Sequence, residues 1–452
     1  MEETIVLYST PEHLNSLSCL ALFIAKHHPS VSVVVLCTAA APPIPAAPSV
    51  TFHCLPAPAL PPNTTFNHVE LFFETPRFNN PNLRRALAEI SQKSKIKAIV
   101  LDFFCNYAFE VAASLNIPTY YCHTTSASGA CALIYWTTIH EKSGGELDGA
   151  DADVPGCPLI PREDLPPMML YPQSLSYKHF LEAAINIQKS AGLIVNSFHA
   201  LELRAMEALR NGLCTPNAPT PPVYALGPLI DLPRNGAVAK HECLRWLDLQ
   251  PSKSVIFLCF GRRGAFSAEQ LREMAVGLEN SGYRFLWAVR APPGKPPSAA
   301  AEEPDLEALL PEGFLERTRE RSFVLKSWAP QAEVLSHDSV GGFVTHCGQS
   351  SMLEAVSFGV PMIGWPLYPE QRMNRVFMVE EIKVALPVEA AEGGLVTAAE
   401  LEKRVRELMD SKRGREIRRR VTEMKFAAAA AAAKGGSSVV ALEKFMAALT
   451  LV

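Results

Sequence analysis

Between Trp328 and Gln371 the chain gathers an aromatic plane (Trp328), an amide (Gln331), a histidine on a Gly-containing turn (His346, Cys347, Gly348), a carboxylate (Glu354) and an acid–amide pair (Glu370, Gln371). Together these groups suit a nucleotide-diphosphate-sugar. GGFVTH reads as a buried strand, SSMLEAVSFG as the helix after its turn and VPMIGWP as the next strand. A strand, a Gly turn and a helix N-terminus point backbone N–H groups and the positive end of the helix dipole at an anion. Trp328 either stacks on a base or is an ordinary core Trp, and the Trp-Ala-Pro-Gln context favours stacking. Gln331 carries a donor and an acceptor group for a base edge. Glu354 is placed to accept hydrogen bonds from both ribose hydroxyls, as an acid does in dinucleotide sites. His346 either donates to the diphosphate or is a satisfied structural histidine, and its position on the turn favours the phosphate. Charge building on a departing diphosphate can be absorbed by helix N–H groups, His346 and hydroxyls, without a metal.

Such a site needs elements to hold it. The first half alternates TIVLYS, a helix from Leu14, SVSVVVLCTA, a Pro-rich loop from Pro42 to Pro62, a helix near 82–93, KAIVLDFF, NYAFEVAASLN and PTYYCH. A polar linker, Leu232–Glu242, precedes SVIFLCF, a helix at Ser267–Ser281 and RFLWAVR, and Ala291–Glu307 reads as a mobile loop. Continuous apolar strands alternating with helices imply parallel sheets covered on both faces. A length of 452 residues calls for two domains. A net charge of −4 argues against nucleic acid. No charge-free run is long enough to span a membrane, and Ala427–Ala433 reads as a helix of strong formers. The start has no leader pattern, and the 11 scattered cysteines fit reduced thiols in a cytoplasmic protein.

The Trp328–Gln371 segment resembles the signature box of plant family 1 UDP-dependent glycosyltransferases over almost all of its positions. LDFFCNYAFEVAASLNIPTYY, GLIVNSFHALE, PTPPVYALGPL, FSAEQLREMAVGLENSGYRFLWAVR and KGGSSVVALEKF extend the resemblance along the chain, towards the flavonoid, chalcone and anthocyanidin O-glucosyltransferase branch. It implies a glycosyltransferase-B fold, α/β, with two doubly wound Rossmann-like domains facing across a cleft. Residues 1–236 would bind the acceptor and 237–436 the UDP-sugar, with the last helix, 437–452, packing back on the first domain. It implies a monomer that transfers a sugar, glucose first, from UDP to a hydroxyl of a hydrophobic phenolic acceptor such as a flavonoid or chalcone, with inversion. The UDP-sugar is a co-substrate; no cofactor and no metal is expected. Asp151-Ala152-Asp153 matches a metal-binding Asp-x-Asp pattern, but its polar loop reads as a solvated turn.

The residue roles follow from the same resemblance. Ala329 and Gln331 match uracil contacts, and Glu370 with Gln371 match the pair that holds the sugar, the Gln favouring glucose. The family's Gly-Trp-Asn-Ser is here Gly348-Gln349-Ser350-Ser351, and Arg262 stands where a Ser is usual beside the phosphates. These departures keep UDP-glucuronate open as donor. A hydroxyl among Thr124, Thr125 and Ser126 matches a sugar contact, with Thr125 the choice. His13, after the first strand, matches the general base; an ordinary imidazole pKa of about 6.5 suits that task. The alternative is that His13 caps the next helix. The Asp that orients this base in many relatives is matched by Tyr107, which leaves Glu12 or Glu110 as substitutes. The acceptor residues indicated are Phe104, Tyr107, Tyr121, His123 and Met168, with Phe72, Phe73 and Met169 beside them. C-glycosylation, and a weakly active or non-catalytic sugar-nucleotide binder, are the other readings.

Overall fold

The computed structural model describes residues 2–38, 47–61, 65–147, 149–233, 240–292, 303–326 and 328–450. Residues 42–46 and 62 of the Pro42–Pro62 loop, and more than half of the Leu232–Glu242 linker and of the Ala291–Glu307 loop, lie outside these residues. The chain divides into two compact units, Met1–Ile230 with Ala428–Val452, and Asp231–Ala427.

The first unit is built on β1 (Glu2–Tyr8), β2 (Ser32–Cys37), β3 (Val50–Cys54), β4 (Ser94–Asp102), β5 (Thr119–His123), β6 (Gly192–Val195) and β7 (Val223–Ala225), in the order β3-β2-β1-β4-β5-β6-β7. Every neighbouring pair is parallel. The helix Leu14–His27 turns Leu14, Leu17, Leu20, Ala21 and Ile24 inward, the i, i+3, i+4 spacing of one helical face. The C-terminal helix Ser437–Thr450 completes the same core with Leu442, Phe445 and Leu449. The ring of Phe445 meets Tyr120 and Tyr224 edge-on at 5.0 and 5.5 Å.

The loop expected from Pro42 to Pro62 contains an edge strand, β3. Val33–Cys37 pair with Val50–Cys54, and the strand is largely solvent-facing, which is why its apolar signal is faint in the sequence. A second helix, His68–Phe78, precedes the expected one, which runs Asn80–Ser91.

The second unit carries β8 (Val255–Cys259), β9 (Arg284–Val289), β10 (Ser322–Lys326), β11 (Val340–Thr345), β12 (Met362–Gly364) and β13 (Ala385–Pro387), in the order β10-β9-β8-β11-β12-β13, again all parallel. Both orders are doubly wound. Each reverses direction at one point, β1/β4 in the first sheet and β8/β11 in the second. Loops at the carboxyl ends of such a strand pair diverge and leave a crevice for ligand. Among the described residues no helix is long and apolar enough to cross a membrane.

Candidate active site

At the first switch point the chain leaves β1 through a short turn to His13, the residue before the helix Leu14–His27. Its side chain makes no capping bond. Instead His13 Nδ1 lies 2.7 Å from Asp102 Oδ1, at the end of β4. Asp102 is fully buried. It also accepts from the Thr10 N–H at 2.9 Å, the Thr10 hydroxyl and the Phe104 N–H at 3.3 Å. Burial pushes its pKa up, but His13 and the bonds from His13 and Thr10 outweigh this and hold the carboxyl below its ordinary value. An ionised buried acid on Nδ1 fixes the ring's orientation and puts the lone pair on Nε2.

This corrects the reading that Tyr107 stands in the place of the acid. Asp102 lies five positions earlier. Parallel pairing of β1 with β4 sets the two strand ends side by side, with Tyr8 opposite Leu101, and a three-residue 3₁₀ turn then carries the chain past the site. Tyr107 points elsewhere: its hydroxyl is 2.7 Å from His179 Nδ1 and its ring lies under the Arg77 guanidinium. Burial and then Glu182 push its phenol up, so it is no substitute for a carboxylate. Glu110 is exposed on the helix Ala108–Ser114.

The expected acceptor residues separate. Phe104 stacks on His13, with centroids 5.0 Å apart and planes 12° apart, and Phe72 leans on Phe104 at 4.9 Å. Phe73 is buried behind them. Tyr121 is also buried, its hydroxyl donating to Asn106 Oδ1 at 2.9 Å, because β5 is an interior strand with both faces covered. His123 is buried too, and burial brings its pKa down to about 4. Its Nε2 is 2.6 Å from Thr125 Oγ1. Met168 is half-buried and Met169 buried on the short helix Pro167–Leu170. Of the three hydroxyl residues, Ser126 caps the helix Ala127–Ser143 through the Gly129 N–H, Thr124 is buried and Thr125 is half-exposed.

At the second switch point three segments meet. Trp328 follows β10 and is 59% exposed, which is not the burial of a core Trp. Gln331 opens the helix Gln331–Ser336 and reaches Ser351 Oγ at 3.0 Å and Glu354 Oε2 at 2.7 Å. Ala329 and Ser351 are buried beside them. Glu354 is also buried, and its pKa is raised to about 7 by burial, with Gln331 opposing.

His346 and Cys347 lead from β11 to Gly348, the N-cap of the helix Gln349–Phe358. Burial brings the His346 pKa down to about 4, so its ring is neutral, and its buried Nδ1 has no hydrogen-bond partner among the described residues. Two glycines make room for that ring. A Cβ on Gly261 (φ +73) would stand 2.8 Å from it, and one on Gly348 would stand 2.5 Å from Nε2. Gly261, on the loop after β8, was missed by the sequence reading. Its signal was the glycine ending a strand at the switch point. Gln349 is buried and Ser350 exposed in the first turn of the helix.

Glu370 and Gln371 open the helix Pro369–Val376. The Gln371 carbonyl accepts from the Leu367 and Tyr368 N–H groups at 2.9 and 3.0 Å, which leaves its NH₂ as the group it can offer a ligand. The Tyr368 hydroxyl donates to the Arg263 carbonyl at 3.0 Å and brings the exposed Arg262-Arg263 loop to this helix. Asp151 lies apart in the first unit and accepts from the Arg162 N–H at 3.0 Å.

A sequence-family model described as UDP-glucoronosyl and UDP-glucosyl transferase matches residues 238–424. The chain is 54% identical over 436 residues to baicalein 7-O-glucuronosyltransferase of Scutellaria baicalensis, covering 95% of this chain and 99% of that protein. It is 46% identical over 471 residues to anthocyanidin 5,3-O-glucosyltransferase of a Rosa hybrid cultivar, covering 98% of each. The chain belongs to plant family 1 of the UDP-glycosyltransferases. Its fold is glycosyltransferase-B. The structure of Phytolacca americana UGT2 complexed with UDP-2fluoro-glucose and pterostilbene superposes with a TM-score of 0.87 at 34% identity, covering 99% of this chain and 100% of that one. As a UDP-glycosyltransferase the chain transfers a sugar from a UDP-sugar. The reading of a non-catalytic binder draws on the joint loss of the acid beside His13 and of the Asn that Ser350 replaces; Asp102 supplies the acid.

Proposed function

We propose that this UDP-glycosyltransferase moves glucose from UDP-glucose to a hydroxyl of a flavonoid-type phenolic acceptor, inverting the anomeric carbon. The observation that carries the reading is the 2.7 Å bond between His13 and Asp102. The acceptor hydroxyl gives its proton to His13 Nε2 as its oxygen attacks the anomeric carbon, and Asp102 stabilises the imidazolium that forms. Phe104 and Phe72 support a flat aromatic acceptor beside that base. The flavonoid substrates in the names of the relatives support the same class.

In this reading the first unit takes the acceptor and the second holds the donor. Trp328 stacks on uracil while Ala329 and Gln331 meet its edge. Glu354 takes the ribose hydroxyls, with Ser351 beside it. His346, Gly348, Gln349, Ser350 and the helix N–H groups take the diphosphate and the charge it gains on leaving. Glu370 and the Gln371 NH₂ hold the sugar.

UDP-glucuronate is the second donor reading. Arg262 and Arg263 are exposed on the loop joined to the Glu370–Gln371 helix, and the 54% relative is named for glucuronosyl transfer. Purified protein, given UDP-glucose or UDP-glucuronate separately with a panel of flavonoids, chalcones and simple phenols, decides by product mass. A hexose adduct supports the first reading, and a glucuronate adduct alone replaces it with the second. No product with either, from a protein that binds UDP, removes the phenolic acceptor class.

A further inference from the structure

We propose that Asn374 is a positioning residue that aims the diphosphate turn at Cys347–Gly348 and ties it to the helix carrying Glu370 and Gln371. The inference rests on the reading of residues 346–349 as the diphosphate site.

Three residues, His346 to Gly348, connect the end of β11 to the helix Gln349–Phe358. Cys347 takes φ +65, a left-handed conformation that is strained for any residue other than glycine. Its thiol is buried and faces the Thr345 carbonyl at 3.8 Å, so the residue serves the turn through its backbone. The first carbonyl the helix uses is that of Gly348, which accepts from the Met352 N–H. The Cys347 carbonyl comes one residue too early for the helix. It is met by Asn374 Nδ2 at 3.0 Å.

Asn374 is buried, and a carbonyl partner leaves no ambiguity about which end of the amide faces it. In a trans peptide the C=O and N–H point in opposite directions. Drawing the Cys347 carbonyl towards the helix Pro369–Val376 therefore turns the Gly348 N–H away from that helix. The tie also holds a strained turn in one conformation. Asn374 lies about one helical turn beyond Glu370 and Gln371, and the Tyr368–Gln371 capping box fixes the start of the same helix. One rigid helix thus carries the groups assigned to the sugar and the amide that orients the phosphate turn.

Calorimetric titration of uridine and of UDP into wild type, Asn374→Ala and Asn374→Asp tests this. Uridine reports the Trp328–Gln331–Glu354 half, and UDP adds the diphosphate. Asn374→Ala should raise the UDP Kd about tenfold, the scale of one buried hydrogen bond, and leave the uridine Kd unchanged. Asn374→Asp has the same shape and keeps the test available if the Ala variant does not fold. It should lose more UDP affinity, because a carboxylate cannot donate to a carbonyl and repels the diphosphate. Unchanged UDP affinity in both variants, or parallel losses for uridine and UDP, would overturn the proposal. If wild-type protein binds UDP no more tightly than uridine, the diphosphate reading fails and the proposal goes with it. If wild type shows the gain and the variants keep it, only the role of Asn374 is lost.

Discussion

In the proposed mechanism turnover depends on the His13–Asp102 pair, and that role can be separated from binding. His13→Ala should lose at least about a hundredfold in kcat, the usual worth of a positioned general base, while UDP binding by calorimetry stays at the wild-type level. Asp102→Asn should lower kcat by a similar factor, because the ring is no longer held with its lone pair on Nε2. Full activity in either variant would remove that residue from the mechanism. Glu354 carries a pH signature. Its pKa in the ligand-free protein is raised to about 7. In the proposed reading ribose hydroxyls donate to the charged form, so binding should pull the pKa down. Affinity should then be level above about pH 7 and fall below it, approaching tenfold per pH unit for the one proton that must leave. Uridine titrations between pH 5.5 and 8 measure this without interference from phosphate ionisation. Glu354→Gln should flatten the curve, and a flat wild-type curve would place the ribose elsewhere.

At the scale of elements, each switch point sets two strand ends side by side, and the proposed mechanism draws its groups from the loops that leave them. Thr10 and His13 follow β1 and meet Asp102 on β4; Gly261 follows β8 and lies against His346 after β11. The Gly348 position tests how tightly the second pair is set. Its φ of −68 suits any residue, so Gly348→Ala adds only a methyl group that must displace the His346 ring. UDP affinity should fall about tenfold with little change in melting temperature, since the steric cost of overpacking, about 1–3 kcal/mol, falls on the side chain that the proposed reading turns to the diphosphate. A second fastening is deeper in the first unit. Glu202, fully buried, accepts from the N–H groups of Ala127 and Ser128 at 3.0 and 2.9 Å, the Ser128 hydroxyl at 2.8 Å and the Ser197 hydroxyl at 2.5 Å. It holds the N-terminus of the helix that starts just after Thr125. Glu202→Ala should destabilise the first unit by about 3 kcal/mol through orphaned buried donors, measured by urea unfolding.

Over the whole molecule, the chain returns its last helix to the unit built by its first half. Phe445 lies between Tyr120 and Tyr224, far from it in sequence. Phe445→Ala should cost about 3–5 kcal/mol as a large-to-small core change. The loss should appear in the melting transition of the first unit, while uridine affinity, which the proposed reading assigns to the second, should be unchanged. Loss of uridine binding in parallel would overturn that assignment.

The Trp328–Gln371 box was readable from the sequence because its groups are local: one aromatic plane, one strand, one turn and one helix supply them in order. The alternation of apolar strands and helices gave the two parallel sheets for the same reason, since strand and helix periods are written in neighbouring residues. What the sequence left open depends on residues far apart in the chain. The sequence points to Tyr107 rather than Asp102 because the acid that faces His13 is chosen by pairing of β1 with β4, across 89 positions. Strand β3 hid in a Pro-rich stretch because an exposed edge strand has little apolar signal. Tyr121 and His123 look like pocket residues in sequence and are core in the structure, because burial of an interior strand is set by the helices packed on both of its faces. The packing of His346 against Gly261 and Gly348, and the bond from Asn374 to Cys347, were decided by how β8, β11 and the helix Pro369–Val376 come together. Local periodicity encodes which elements form; only their assembly determines which side chains meet.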